Sequence, residues 1–135
     1  MQWTTEQESV INHTAGNLLV AAAAGSGKTA VLVQHVISRI MDPVDPVKLS
    51  EMVIMTFTEA AAQEMRDRIK AALEEKLREH LDSAELIREA GSIQNASIST
   101  IDAFCKHFIT ENYAAIDLDP GFRMGDQGEL RLLQG

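Results

Sequence analysis

Apolar residues along the chain fall into two kinds of pattern, and the alternation between them sets the expected fold. Residues 17–22 ("NLLVAA") and 52–57 ("MVIMTF") are short unalternating apolar runs, the first bounded by Gly16 and Gly25. Such runs suit strands covered on both faces. Residues 28–41 instead space Val31, Val33, Val36, Ile37 and Ile40 broadly at helical intervals, and Asp42-Pro43 ends the pattern. From about Glu59 a longer helical pattern begins, with Ala62, Met65, Ile69, Leu73 and Leu77 in one stripe and charges on the other faces. Thr56 and Glu59 have capping-box spacing at its start. The remaining elements are shorter. "WTTEQESVINH" offers Thr4 or Thr5 as N-cap, with Glu8 three residues beyond Thr5 completing a box ahead of Val10 and Ile11. Residues 86–90 read as a short helix stopped by Gly91, residues 96–100 ("ASIST") as a third strand, and residues 101–113 as a helix after it.

Strands separated by helices in this rhythm predict right-handed crossovers and a parallel sheet, so the expected class is α/β. The closing "GELRLLQG" starts another helical pattern without a second half of the sheet, the expectation for a piece of a longer protein.

Composition narrows the function. At 135 residues and 45% hydrophobic content the chain has the size and the apolar stock of one domain. A net charge of −8 argues against broad electrostatic attachment to nucleic acid or anionic lipid, although a local site overrides such an average. One cysteine, Cys105, forms no internal disulfide, which fits a reducing cytoplasm better than secretion. The longest apolar run, residues 18–24, is far short of the roughly 20 residues of a membrane span. It also lacks the N-terminal basic flank of a signal peptide, and no membrane partner is expected. His13, His35, His80, His107 and Cys105 show no metal-ligand spacing, so no structural metal is expected.

The chemistry concentrates in "AAAAGSGKT", where the first apolar run meets the first long helical pattern. At a strand-to-helix junction, Gly25-Ser26-Gly27-Lys28-Thr29 has the composition of a phosphate-binding loop. Glycines let main-chain N–H groups curl around a phosphate, and the helix N-terminus adds partial positive charge. Lys28 would reach the β- and γ-phosphates of a nucleoside triphosphate, and the Thr29 hydroxyl would ligate Mg²⁺. The usual glycine separated by four residues from the Gly-Lys pair is Ala22 here, and Ala23 and Ala24 keep the loop equally thin. A plain flexible Gly-Ser turn is the competing reading.

Four further stretches, residues 3–7 ("WTTEQ"), 56–69, 98–105 and 116–133, together resemble the UvrD/RecB-type superfamily 1 DNA helicases. "WTTEQ" is similar to their adenine-reading Q motif, with Gln7 as the glutamine; a surface glutamine on a capped helix is the alternative. "TFTEAAAQEMRDRI" (residues 56–69) resembles motif Ia, whose strand-end segment touches single-stranded DNA in that family. The resemblance assigns Phe57 and Thr58 to DNA, Phe57 offering a ring face to a base; a core aromatic at a sheet end is the alternative for Phe57. "ISTIDAFC" (residues 98–105) resembles motif Ib and implies a phosphate contact by Thr100. Asp102 stands where the commoner form has histidine, and an ionised carboxylate there compensates a helix N-terminus instead. "IDLDPGFRMGDQGELRLL" (residues 116–133) resembles the stretch after motif Ib in helicase–nuclease proteins of the AddA type.

The resemblance implies a partial RecA-like P-loop domain over residues 1–115 and the truncated start of a helical insertion subdomain over 116–135. It further implies ATP and Mg²⁺ as ligands, DNA as track and duplex end, partnership with a second helicase–nuclease subunit, and a role in recombinational break repair. Nucleotide contacts would come from Gln7, Ala22, Ala23, Ala24, Gly25, Ser26, Gly27, Lys28 and Thr29, with Lys28 as the catalytic charge. After Thr100 no apolar strand ends in the Asp-Glu pair that hydrolysis requires, so these residues alone are expected to bind nucleotide without hydrolysing it. A small P-loop phosphotransferase or ATPase and a non-enzymatic helical interaction module are the alternatives.

Overall fold

The structure is a computed structural model, and it describes residues 2–135. Among the described residues eight regular elements follow in order: α1 (Thr5–Ile11), α2 (Lys28–Ile40), β1 (Val53–Thr56), α3 (Glu59–Glu79), α4 (Ala84–Ser92), β2 (Ser97–Thr100), α5 (Ile101–Glu111) and α6 (Gln127–Gln134). Three 3₁₀ turns, Leu49–Glu51, Ile93–Asn95 and Tyr113–Ile116, link them. The chain divides into two compact units, Met1–Ile101 and Asp102–Gly135.

In the first unit β1 and β2 pair in parallel, with Val53, Ile54, Met55 and Thr56 opposite Ser97, Ile98, Ser99 and Thr100. The class is thus mixed α/β, a two-stranded parallel sheet flanked by helices. The core joins Val33, Val36, Ile37 and Ile40 of α2 to Met65, Ile69 and Leu73 of α3, to Leu86 of α4, and to Ile54 and Ile98 of the sheet. The α3 stripe falls where its spacing predicts: Ala62, Met65, Ile69 and Leu73 are buried and Leu77 packs at the core's edge. Its outer face carries pairs such as Arg68–Glu64 and Lys76–Glu79, exposed and therefore worth little individually.

A buried carboxylate ties α4 to the turn before β1. Glu89 is only 4% exposed, and its Oε2 accepts the Leu49 N–H at 2.8 Å while Arg88 Nε donates to Oε1 at 3.2 Å. A buried polar group is tolerated when its hydrogen bonds are made in this way.

Several expectations need correction. Residues 17–22 form no strand: they pair with neither β1 nor β2, and Leu18, Leu19 and Val20 stand 48, 93 and 44% exposed. Hydrophobicity predicts burial, but a strand exists only where a neighbour takes its main-chain hydrogen bonds. β1 is covered on one face and not two, with Ile54 buried and Val53 and Met55 half exposed. Helix α1 starts one residue earlier than the Thr5–Glu8 box requires. Thr4 is extended and caps, Thr5 is already helical, and the box closes on Gln7. Helix α3 is capped by Thr58, which accepts from Ala61 N at 3.1 Å, because Thr56 is still held in β1 opposite Thr100. Helix α4 runs through Gly91, whose φ is not in the left-handed region that ends helices, and continues into the turn at Ile93.

The second unit carries the ring pair Phe104–Phe108 on α5, with centroids 6.2 Å apart, Phe104 half-buried and Phe108 exposed. Asp117 takes a left-handed conformation with φ 54. Asp126 caps α6 in a box with Glu129, and the Arg123 guanidinium grips Glu129 with both terminal nitrogens. That guanidinium, followed by the Asp126 N–H, holds the Glu129 carboxyl below the usual range.

Candidate functional site

The glycine-rich turn is shaped by two left-handed glycines. Gly25 has φ +78 and Gly27 φ +83, and Gly27 occupies the N-cap position of α2 with no side-chain cap. A side chain at either position would strain the backbone, which is why glycine stands at both. An ideal Cβ at Gly25 meets nothing within 4 Å, so the bend opens outward. The first-turn amides of α2 have no acceptor among the described residues, as helix geometry dictates, and they constitute donors for an anion. Ser26 N bonds back to Ala23 O at 3.2 Å and draws the turn tight.

Lys28 sits at the first position of α2 and is exposed. Its Nζ donates to Ala22 O at 2.6 Å, bridging the two limbs of the loop. Thr29, half-buried, follows it in the first turn. The donors and the open cradle fit a polyphosphate, with Thr29 the hydroxyl available to its metal. Among the described residues no group of three or more His, Cys, Asp or Glu is placed to hold a metal ion.

Gln7 comes to the same loop from α1. Its Nε2 donates to Ser26 O at 3.4 Å, and an ideal Cβ on Gly27 would lie 3.6 Å from that nitrogen. Its Oε1 accepts the Thr4 N–H at 2.9 Å, closing the capping box. One N–H and one lone pair of the amide remain, the pair of functions a base edge needs. Gln7 is not a plain surface glutamine, since the fold joins it to the loop across 19 residues.

The other predicted residues collect at the carboxyl ends of the two parallel strands, the edge where open α/β sheets take ligands. Phe57, just past β1, is 91% exposed, which removes the core-aromatic reading. Thr58 Oγ1 is engaged as acceptor in the α3 cap and retains its own proton to donate. Thr100 ends β2 with 8% exposure, and its hydroxyl donates to Glu59 Oε1 at 3.4 Å. Asp102 is exposed in the first turn of α5.

Two partners at this edge escaped the sequence reading. Glu59, assigned there to a cap, instead receives the Thr100 hydroxyl. Arg66 donates through Nη2 to Ile98 O at 2.7 Å and clamps α3 onto β2, while its buried Nε has no hydrogen-bond partner among the described residues. No local pattern signals either contact, since both join positions more than thirty residues apart. No described helix is long and apolar enough to cross a membrane.

The α/β chain opens its first long helix on an outward glycine turn, with a lysine at the helix start and a glutamine amide set against the turn, an arrangement suited to an anion. The chain belongs to the UvrD/REP helicase N-terminal domain family, whose pattern matches residues 3–134. It is 49% identical over 133 residues to the A subunit of the ATP-dependent helicase/nuclease of Clostridium perfringens, covering 98% of this chain and 10% of that protein. The same-named proteins of Clostridium novyi and Oceanobacillus iheyensis are 47% identical over 135 residues and 44% identical over 134. Those matches cover 100% and 99% of this chain, and 11% of each relative. The chain thus spans about a tenth of the length of the curated relatives it matches.

Proposed function

We propose that this chain is the N-terminal ATP-binding portion of an ATP-dependent DNA helicase, one component of a helicase–nuclease that works in recombinational break repair in the cytoplasm. The reading is supported above all by one contact, Gln7 Nε2 to Ser26 O, which sets an adenine-reading amide against a phosphate loop in a chain of the helicase family. Main-chain N–H groups within residues 22–29 would hold the phosphates, Lys28 would meet the β- and γ-phosphates, and the Thr29 hydroxyl would ligate Mg²⁺. When bound, Mg-ATP supplies the phosphoanhydride whose hydrolysis drives movement. At the sheet edge Phe57 offers a ring to a base and Thr58 a hydroxyl donor to the backbone of single-stranded DNA, while Thr100 reaches a phosphate once its hydroxyl leaves Glu59 Oε1.

Residues 1–115 belong to a RecA-like motor domain, and 116–135 begin a helical insertion. β1 ends in Met55-Thr56 and β2 in Ser99-Thr100, so neither contributes the acid pair that orients water. The 135 residues therefore bind nucleotide without turning it over, and a second helicase–nuclease subunit completes the working complex.

The test is hydrolysis of ATP by the full-length protein with and without single-stranded DNA, together with strand separation from a duplex end. DNA-stimulated hydrolysis is expected, and Phe57→Ala should weaken single-strand binding by about 1–3 kcal/mol. Hydrolysis indifferent to DNA, or phosphate transfer to a small acceptor, would overturn the reading in favour of a phosphotransferase.

A further inference from the structure

Helix α1 is only seven residues long, Thr5–Ile11, and a helix of two turns has little stability of its own. What orients it therefore decides where Gln7 stands. Its N-terminal end is closed by the Thr4–Gln7 box, which involves Gln7 itself. Its C-terminal end carries no basic residue, and its last carbonyls need donors from elsewhere. The structure supplies them from α2. His35 Nδ1 lies 2.9 Å from Ile11 O, and Ser38 Oγ lies 2.8 Å from the same oxygen. A carbonyl only accepts, so this contact holds His35 in the tautomer with its proton on Nδ1. Ser38 Oγ is equally 2.8 Å from His35 O, so its single proton is shared between two carbonyls that both sit at the α1–α2 junction. The Ile11 side chain beneath is buried.

The consequence is geometric. Helix α2 begins at Lys28 in the phosphate turn, and His35, seven residues on, lies about 10 Å along the same rigid element. Ile11 is four residues, one turn, beyond Gln7 on α1. A single helix therefore presents the phosphate donors at its start and grips, two turns down, the short helix that carries the base-reading amide. The span from phosphate to base contact is set by α2 through Ile11 O. Base discrimination depends on that span more steeply than phosphate binding does, because hydrogen bonds to a base edge weaken sharply with misalignment.

We propose that His35 and Ser38 are positioning residues for nucleotide-base selection, acting through Ile11 O and α1 on Gln7. The inference rests on the reading of Gln7 as the adenine contact, and the test separates the two. Dissociation constants for Mg-ATP, Mg-GTP and Mg-tripolyphosphate are measured by calorimetry on the full-length protein, wild type and variants. His35→Ala and Ser38→Ala should each lower the ATP-over-GTP preference about two- to tenfold, the range one hydrogen bond is worth. Tripolyphosphate, which has no base, should bind within about twofold of wild type, a change inside the usual scatter of a surface substitution. His35→Asn, whose amide keeps a donor near the place of Nδ1, and Ser38→Thr, which keeps the hydroxyl, should restore the preference. Either alanine variant combined with Gln7→Ala should lose no more preference than Gln7→Ala alone, the signature of action through that residue.

An unchanged preference in His35→Ala and Ser38→Ala, with Gln7→Ala reduced, overturns the positioning role and leaves the adenine contact standing. An unchanged preference in Gln7→Ala overturns the adenine contact and the inference with it. Equal losses for all three ligands also overturn it, since they report general loosening. Ser38→Ala removes one oxygen from a half-buried site, which keeps the test available if His35→Ala fails to fold.

Discussion

Replacing Lys28 with alanine isolates the phosphate half of the site. Lys28 Nζ rests on Ala22 O at 2.6 Å, so its ammonium must leave that carbonyl before it meets a phosphate. A unit-charge pair at 4 Å is worth about 1 kcal/mol in water and about 4 kcal/mol at the effective dielectric of a protein surface. The loop is exposed, which places the interaction between these limits. Giving up the carbonyl subtracts about 0.5–1.5 kcal/mol. Mid-range values leave a net loss of about 1.5 kcal/mol, or a roughly tenfold weaker dissociation constant. Calorimetric titration of the chain with Mg-ATP, Mg-GTP and Mg-tripolyphosphate reads it directly. All three should weaken by the same factor, because Lys28 acts on what they share. In the full-length protein the same variant should abolish ATP turnover. An unchanged affinity for tripolyphosphate, or wild-type hydrolysis, would refute the assignment of the turn to phosphate.

Three further outcomes follow from the packing. Leu73 is fully buried between α3 and the core, and Leu73→Ala should cost about 2–5 kcal/mol in urea unfolding; a loss below about 1 kcal/mol would contradict the described core. Thr58→Ala removes the α3 cap and should cost about 0.5–2 kcal/mol, with Thr58→Ser recovering most of it in the same assay. Hydrogen bonds from Asp45 N–H and Val44 N–H hold the Asp42 carboxyl below its ordinary value of 3.8. Its folded-state value is depressed, so the stability it lends is complete above pH 3.8 and fades as pH falls through the lower folded value. Thermal melts from roughly pH 5 to pH 2 should show a smaller acid-limb decline for Asp42→Asn, and identical limbs would refute this.

Much of the helical structure is determined by local sequence. The Ala62, Met65, Ile69 and Leu73 stripe lies inside α3, and Val31 to Ile40 bury one side of α2, because a helix satisfies its own main chain and needs from the rest of the protein only a surface to cover. Its ends are less well determined. Thr4, Thr5, Thr56 and Thr58 all offer cap chemistry, and the choice among them falls to where the extended backbone stops, at Thr4 and at Thr58. Strands are not determined locally at all. Residues 17–22 are as apolar as residues 52–57, yet only the latter contribute a strand, because β2 supplies hydrogen bonds to Val53–Thr56 and no described strand supplies them to 17–22. The same distinction runs through the candidate site. Composition alone marks Gly25–Thr29, since few residue sets tolerate two left-handed positions followed by a lysine at a helix start. Gln7 against Ser26, Thr100 against Glu59, His35 and Ser38 against Ile11, and Glu89 against Leu49 are contacts between positions 19 to 41 residues apart. Each needs two separately formed elements to meet at hydrogen-bond distance. Only the docking of helices on one another and on the sheet brings them there, since a directional contact of about 3 Å is set by the relative placement of whole elements and leaves no periodic trace in the chain.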